Sequence, residues 1–198
     1  METIRGKMSH TLDSTTLQAR LANYSAITLD LGTGDGKFAF CHAESFPGRF
    51  VIGLDSCREN LREFSRTKLP NLLYVIASAQ ALPKELSGLV SYVTINFPWG
   101  SLLGSLLTGD PLLLCGLESV LTTGAKLDLR LNGGALAEAG WTFEDGVAQV
   151  RENLVRAGWR INQPAPMDSH DLHAFPSSWA KRLAFGRDPR AIQLSGCI

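Results

Sequence analysis

The chain has 198 residues, of which 44% are hydrophobic, and its 19 basic and 19 acidic side chains give a formal net charge of 0. This composition is that of a folded globular protein, and it excludes a disordered chain or a strongly basic nucleic-acid tail. Its longest apolar runs, such as residues 111–117, are far too short to span a membrane, and the N-terminus has no apolar signal segment, so we expect a cytoplasmic protein without a membrane partner.

We expect a single domain over residues 1–198, with an N-terminal extension at 1–24 and a core at 25–198, because the chain has no linker or internal repeat. A monomer is expected.

The cysteines form no C-x-x-C pair, so we predict reduced thiols and no metal site. They are Cys41, Cys57, Cys115 and Cys197.

The predicted elements start with a short hairpin over residues 3–7 and 9–12, followed by a helix over 14–23. Thr15 and Gln18 have capping-box spacing near the start of that helix. Strands are predicted to alternate with helices from there on, which indicates an α/β, doubly wound, mostly parallel sheet. The strands are 26–31, 50–54, 72–77, 90–96 and 126–131, and the helices are 37–45, 57–67 and 110–121.

The last third of the chain carries a weaker pattern. A helix is predicted over residues 143–157, where Val147, Val150 and Leu154 recur at helical spacing. A short strand is predicted over 159–163. Segments 181–185 and 191–195 flank a turn, and we expect them to form an antiparallel hairpin.

The segment from residue 26 to residue 55 carries the clearest functional signal. A strand containing Asp30 runs into Gly32-Thr33-Gly34-Asp35-Gly36, and the next predicted strand stops at Asp55. Glycines permit a tight turn and a close approach to a ligand. A carboxylate at the end of the second strand suits the hydroxyl groups of a ribose. The segment therefore predicts a nucleoside site.

The glycine spacing indicates which nucleoside. Dinucleotide folds use G-x-G-x-x-G, whereas here Lys37 stands where their third glycine would be. Asp30 and Asp35 disfavour a pyrophosphate and suit a ligand with a cationic amino group and a sulfonium. D-x-G-x-G-x-G resembles the first motif of class I S-adenosylmethionine (SAM) methyltransferases. An NAD-dependent oxidoreductase remains an alternative.

The acceptor side is predicted just beyond the fourth strand of the core, at Asn96-Phe97-Pro98-Trp99. In an open α/β sheet the ligand lies outside the carboxyl ends of the strands. Proline stiffens the segment, so an aromatic ring can be held in a fixed orientation. Many amino-methyltransferases have a polar residue where Phe97 stands, and this apolar replacement favours a ring nitrogen as acceptor.

Three segments together resemble the 16S rRNA (adenine 1408, N1) methyltransferases of aminoglycoside resistance: residues 30–36, 97–103 and 178–183. The resemblance implies a seven-stranded, mostly parallel sheet with an antiparallel C-terminal strand. It implies SAM as cosubstrate, S-adenosylhomocysteine as product, and the 16S rRNA of the small ribosomal subunit as partner. The acceptor would be N1 of an adenine flipped out of the decoding site.

The resemblance also implies residue roles. Trp99 and Trp179 would stack on the flipped adenine; the acceptor side would also include Phe97, Pro98, Ser177 and Ser178. The expected cofactor-binding residues are Asp30, Gly32, Thr33, Gly34, Asp35, Gly36, Asp55, Ser78, Ala79, Gln80 and Asn96. Gln80 stands where the family often has a glutamate. Phosphate contacts are expected from Lys181, Arg182, Arg187, Arg190, Arg62, Arg66 and Lys68. No general base is predicted, because adenine N1 carries a free lone pair.

Two further functions stay open from the residues alone. One is another RNA methyltransferase, such as an enzyme that forms 7-methylguanosine in tRNA, although Phe97-Pro98-Trp99 lacks the polar residues expected for guanine. The other is a protein that binds SAM or RNA with little or no catalysis. The neutral net charge is compatible with that reading, since nucleic-acid binding usually needs a basic surface.

Overall fold

The structure is a computed structural model that describes residues 1–178, 180 and 188–198. Strands and helices alternate through most of this part of the chain. The strands are β1 Glu2–Arg5, β2 Met8–Thr11, β3 Ala26–Leu31, β4 Arg49–Asp55, β5 Leu72–Ile76, β6 Val90–Asn96, β7 Leu121–Asn132, β8 Arg160–Ile161, β9 Ala165–Met167 and β10 Ala191–Cys197. The α-helices are α1 Ser14–Leu21, α2 Lys37–Ser45, α3 Arg58–Leu61, α4 Gly100–Thr108, α5 Pro111–Val120, α6 Gly133–Glu138, α7 Phe143–Arg156 and α8 Ser169–Ala174.

The strands form one sheet in the order β2-β1-β5-β4-β3-β6-β7-β10-β8, with β9 also paired to β10. Strands β5, β4, β3, β6 and β7 are parallel, and β10 runs antiparallel to β7 and β8. The predicted seven-stranded sheet corresponds to β5 through β8 in that order. The predicted N-terminal hairpin is also confirmed, and it extends the sheet where Thr3 lies opposite Val75.

In β3 the period of two separates an apolar face from a polar one. Leu29 and Leu31 of β3 belong to the main core, together with leucines of α4, α5 and α7 such as Leu103 and Leu113. Asp30 lies between them in sequence and therefore points to the opposite face. The fold thus brings a carboxylate to the end of a central strand without placing it in the apolar core.

Several local predictions were wrong. The cap of α1 is Asp13, whose carboxylate accepts the Thr16 N–H at 2.8 Å, rather than a capping box at Thr15. The predicted helix over 57–67 is broken into α3 and a 3-10 turn at Phe64–Arg66, where the Thr67 hydroxyl donates to the Phe64 carbonyl. Helices α4, α6 and α8 and strand β9 were not predicted.

Three further segments differ from the prediction or lie outside the described residues. The predicted strand over 126–131 is the second half of the longer β7, and the one over 159–163 shortens to β8. Residues 181–185 of the predicted C-terminal hairpin lie outside the described residues.

Within the described part of the chain, no single helix is long and apolar enough to cross a membrane, and α4 and α5 meet that test only as a pair bent by 95°.

Candidate cofactor and acceptor site

A cleft at the carboxyl ends of β3, β4 and β6 gathers most of the predicted site residues. Its wall is formed by loops that follow those strands and β5, as expected for an open α/β sheet. Thirteen of the predicted residues line it: Asp30, Gly32, Thr33, Gly34, Asp55, Ser78, Ala79, Gln80, Asn96, Phe97, Pro98, Trp99 and Ser177. Cofactor-side and acceptor-side residues therefore share one cavity.

Three predicted residues do not line the cleft: Asp35, Gly36 and Ser178. The Asp35 carboxylate instead accepts the Lys37 N–H at 3.0 Å at the start of α2. Gly36 has φ of +82°, its carbonyl accepts the Tyr74 hydroxyl at 2.7 Å, and a Cβ there would lie 2.5 Å from the Tyr74 ring. These contacts shape the glycine loop from within the protein, and a direct contact of Asp35 or Gly36 with the ligand stays a prediction.

The first half of the glycine loop is fixed by the neighbouring strand. The amides of Gly32 and Thr33 donate to the Leu54 carbonyl at 2.8 and 3.0 Å. Gly32 has φ of +70°, and a Cβ at this position would lie 2.6 Å from a methyl carbon of Leu102. Only glycine satisfies both the conformation and the space. The loop is thereby held against the end of β4 and against Leu102 of α4.

Asp55 is prepared to accept hydroxyl groups. Its two oxygens accept the amides of Cys57 at 2.8 Å and Gly34 at 2.9 Å. Burial raises the pKa of this carboxyl group, and the two amide bonds partly oppose that rise. A carboxylate has about four acceptor positions, so two remain after these bonds. The residue fits a ribose diol.

Asp30 is a buried acid beneath the same loop. Its oxygens accept hydrogen bonds from the Thr33 hydroxyl, from the Thr94 hydroxyl at 2.8 Å and from the Asn96 amide at 2.9 Å. Burial raises the pKa of Asp30 to about 6, against the lowering effect of these donors and of Arg130. Of about four acceptor positions one is left, which suits a single cationic donor such as the amino group of SAM.

Gln80 joins the loop after β5 to α4 through its side-chain amide. Its side-chain nitrogen donates to the Ser105 hydroxyl oxygen at 2.8 Å, and its carbonyl oxygen accepts the Ser78 hydroxyl at 2.5 Å. The Ser105 proton is already donated to Asp110 at 2.9 Å. A chain of hydrogen bonds thus runs from the Gln80 amide through Ser105 to Asp110.

The acceptor side is built on a strained turn. Phe97 has φ of +53°, the only positive value at a non-glycine position among the described residues, and its N–H donates to the Arg130 carbonyl at 2.9 Å. Its ring meets Phe175 edge to face at 5.5 Å, and Phe175 stacks on Phe38 at 5.2 Å. The turn directs Trp99 to the rim, where the side chain is 41% exposed and its indole N–H donates to Glu138 at 3.1 Å. Trp99 is therefore not a core residue.

Arg130 is a site residue that the sequence analysis missed. Its guanidinium donates to the Asn96 side-chain oxygen at 2.9 Å and lies 4.8 Å from the centre of the Phe175 ring. Asn96 in turn donates to Asp30. Arg130 thus joins the cofactor side of the cleft to the aromatic cluster on the acceptor side. The alternation Lys126-x-Asp128-x-Arg130 in a leucine-rich strand was the available signal for a polar face.

Replacement of Arg130 by methionine is expected to lower methyl transfer at least tenfold and to weaken SAM binding at mildly acidic pH. The variant loses a hydrogen bond from a charged group, a loss of about 1.5–3 kcal/mol, and leaves Asn96 less well oriented. Loss of the positive charge also raises the pKa of Asp30, so the pH below which SAM affinity falls should move upward. Calorimetry across pH measures this shift. Arg156→Met, on the exposed face of α7, is the control, and an unmoved profile would contradict the role.

The predicted phosphate-binding residues fall into three groups. Some are already paired with carboxylates, some lie beside the N-terminal hairpin, and some lie outside the described residues. Arg62 pairs with Glu59 at 3.0 Å, and Arg190 pairs with Asp188 at 2.8 Å and with Glu144 at 2.9 Å, so both charges are already compensated. Arg66 and Lys68 lie beside the N-terminal hairpin. Trp179, Lys181, Arg182 and Arg187 lie outside the described residues.

The sheet order, the glycine loop hydrogen-bonded to Asp55 and the Pro-aromatic turn after β6 define a class I SAM-dependent methyltransferase. The sequence model described as NpmA, 16S rRNA (adenine(1408)-N(1))-methyltransferase, matches residues 2–198. The chain belongs to this family, which is SAM-dependent. The resemblance seen in the sequence is therefore confirmed.

Relatives and solved structures agree with this assignment. A 16S rRNA (adenine(1408)-N(1))-methyltransferase of Escherichia coli is 28% identical, over 98% of this chain and 97% of its own. One of Streptoalloteichus tenebrarius is 31% identical, over 95% and 94%. The crystal structure of the 16S rRNA methyltransferase KamB superposes with a TM-score of 0.90 at 30% identity, covering 100% of this chain and 99% of that one. A mutant from Catenulisporales acidiphilia, solved with cosubstrate SAM, has a TM-score of 0.86 at 26% identity and covers 100% and 96%.

Proposed function

We propose that this chain transfers the methyl group of SAM to N1 of adenine 1408 in the 16S rRNA of the small ribosomal subunit, and so confers aminoglycoside resistance. The observation that carries the proposal is the single cleft whose wall includes both Asp30 and Asp55 and the turn Phe97-Pro98-Trp99. The enzyme acts as a monomer in the cytoplasm, where small subunits are found.

The cofactor side of the cleft holds SAM through groups already in place. The free acceptor positions of Asp55 take the ribose hydroxyls, and the remaining one on Asp30 takes the amino group. Ser78 and Ala79 border the adenine ring, and Gln80 fixes their loop to α4. When bound, SAM supplies a methyl group activated by its sulfonium. The protein's part is to hold that group at a fixed place beside Phe97.

The acceptor side receives a base that has left its helix. The exposed Trp99 ring offers one stacking surface at the rim, and base–aromatic stacking contributes about 1–3 kcal/mol. That the Trp179 ring stacks on the other face of the adenine stays a prediction. Ser177, which is buried, borders the same cavity.

Catalysis is proposed to rest on positioning. Among the described residues that line the cleft, the titratable side chains are Asp30 and Asp55, and both serve the cofactor side. Adenine N1 has a lone pair and needs no base, whereas attack by an exocyclic amine would release a proton. A site that only orients the two reactants therefore suits N1. Holding the reactants in line can supply effective molarities of about 10⁵ M or more.

The decisive experiment is primer extension on small ribosomal subunits incubated with the protein and SAM. We expect a reverse-transcriptase stop at adenine 1408, because N1 methylation blocks base pairing. Asp55→Ala should abolish the stop at limiting SAM, and omission of SAM is the negative control.

The other outcomes separate the alternatives. In a parallel incubation of tRNA with the protein and SAM, a chemical cleavage signature at a guanine would favour the 7-methylguanosine enzyme, because methylation at N7 leaves the base-pairing edge free and gives no stop. SAM binding by calorimetry without any stop would identify a binding protein without catalysis.

A further inference from the structure

A groove at the N-terminal hairpin is a second candidate site, outside the cleft. It lies between the hairpin and segment 64–69, and its volume is about 330 Å³. We call it the hairpin groove and define it by its polar lining, Arg5, His10, Arg20, Ser65, Thr67 and Lys68. The groove touches β5 from Leu72 to Tyr74, whereas the cleft lining begins at Ala77, after β5 ends. At about 3.3 Å per residue the two linings come within roughly 10 Å of each other along the strand.

The charged side chains among the described residues that line the hairpin groove are all positive. Arg5, Arg20 and Lys68 line it, and no carboxylate is among its described lining residues. None of the three cations forms an ion pair within the described part of the chain, whereas the nearby Arg58 and Arg62 pair with Glu2 and Glu59. In a chain with a net charge of 0, this is a local concentration of uncompensated positive charge. Such a surface attracts phosphate groups.

The two walls of the groove are held together by hydrogen bonds. The Gly6 N–H in the hairpin turn donates to the Ser65 hydroxyl at 2.9 Å. Gly6 has φ of +62°, and a Cβ there would lie 3.3 Å from the Arg66 side chain. On the other side, Thr3 joins the hairpin to β5. The backbone that carries Arg5 and Lys68 is therefore held in place before a ligand binds, which lowers the cost of binding.

We propose that the hairpin groove binds phosphate groups of the rRNA backbone, which makes the N-terminal hairpin a docking element of the enzyme. Arg5, Arg20 and Lys68 contact the phosphates, and such contacts fix the position of the protein without reading sequence. The inference rests on the proposed function, and it adds Arg5, His10 and Arg20 to the RNA-binding surface. It also gives the neutral chain a basic face at a defined place.

The test compares the double variant Arg5→Gln/Arg20→Gln with a control, Lys84→Gln/Arg156→Gln, which also removes two exposed positive charges but away from the groove. Binding to small ribosomal subunits is measured at several salt concentrations. We expect the groove variant to bind at least tenfold more weakly than the control. The slope of log affinity against log salt should also decrease by about 1–2, because each lost phosphate contact removes roughly 0.7–0.9 from it.

Two further measurements make the result unambiguous. SAM affinity and thermal unfolding of the groove variant should equal those of the wild type, which excludes misfolding. If the groove variant keeps the wild-type affinity and salt slope while the wild type methylates adenine 1408, the docking proposal is overturned and the proposed function stands; a groove that takes only free phosphate gives this same result. If the wild type binds SAM but neither binds nor methylates the subunit, both proposals are overturned.

Discussion

The affinity for SAM is expected to fall about tenfold when the pH is lowered from about 7 to about 5. The buried Asp30 has a pKa of about 6, so its carboxyl group becomes protonated in this range. A cationic amino group prefers the ionised form, which means that SAM binding lowers the pKa of Asp30 and releases a proton. At pH 5 only about one tenth of the molecules hold ionised Asp30, which gives the size of the effect. Calorimetry at several pH values measures it.

The stability of the protein without ligand should change in the opposite direction. In the unfolded chain Asp30 has its ordinary, lower pKa, so the folded state binds the proton more tightly. The contribution of Asp30 to the free energy of unfolding is therefore greatest below about pH 4 and is lost as the pH rises through about 6. A weaker affinity at pH 5 thus cannot be ascribed to destabilisation by this residue.

Two variants distinguish the contribution of Asp30 to SAM binding from that of Asp55. Asp30→Asn should bind SAM weakly and without the step near pH 6, because the titrating group is gone. Asp55→Asn should bind weakly too but keep the step, because Asp30 remains. A wild-type affinity that is constant between about pH 5 and pH 7 would show that Asp30 does not hold the cationic group.

Replacement of Trp99 by alanine is expected to reduce methyl transfer to the small subunit about 10–100-fold and to leave SAM affinity within about twofold. The indole lies at the rim of the cleft, 41% exposed, with its N–H donated to Glu138. Removing it deletes a stacking surface for the flipped base, which is worth about 1–3 kcal/mol. Primer extension over time measures the rate, and calorimetry measures SAM binding.

Two matched variants test whether the loss of activity comes from the missing aromatic ring at position 99. Trp99→Phe keeps a ring and should retain most of the activity. Leu112→Ala removes another large exposed side chain, 66% accessible on α5, and should behave as the wild type. An alanine variant at position 99 with the wild-type rate would show that the base stacks elsewhere.

The parallel core was predictable because its signals are local. The strands around Asp30 and Asp55 are short apolar runs that end at a glycine turn and at an acid, and these are visible within about thirty residues. Helix α4 was missed because Gly100 and Gly104 lower helix propensity. Its stability comes from the burial of its leucines against the sheet, which is a tertiary effect.

The site was less predictable wherever its geometry depends on residues that are far apart in the sequence. The motif names Gly32 and Gly36 alike, but only the structure shows that Tyr74, 38 residues further on, occupies the space beside Gly36. In the same way, the pairing of Arg190 with Glu144, 46 residues away, determines that its charge is compensated. A spacing pattern gives residue types, whereas these outcomes depend on which elements pack together.

The left-handed conformation at Phe97 has a consequence for how a base is admitted. An L-residue adopts this conformation at a cost of about 1–2 kcal/mol, and it persists only where the surroundings enforce it. Here the hydrogen bond to the Arg130 carbonyl and the contact with the Phe175 ring hold it. The turn before Trp99 is therefore held by contacts within the protein itself, so in the proposed reaction we expect the larger change of shape in the RNA, which has to extrude the base.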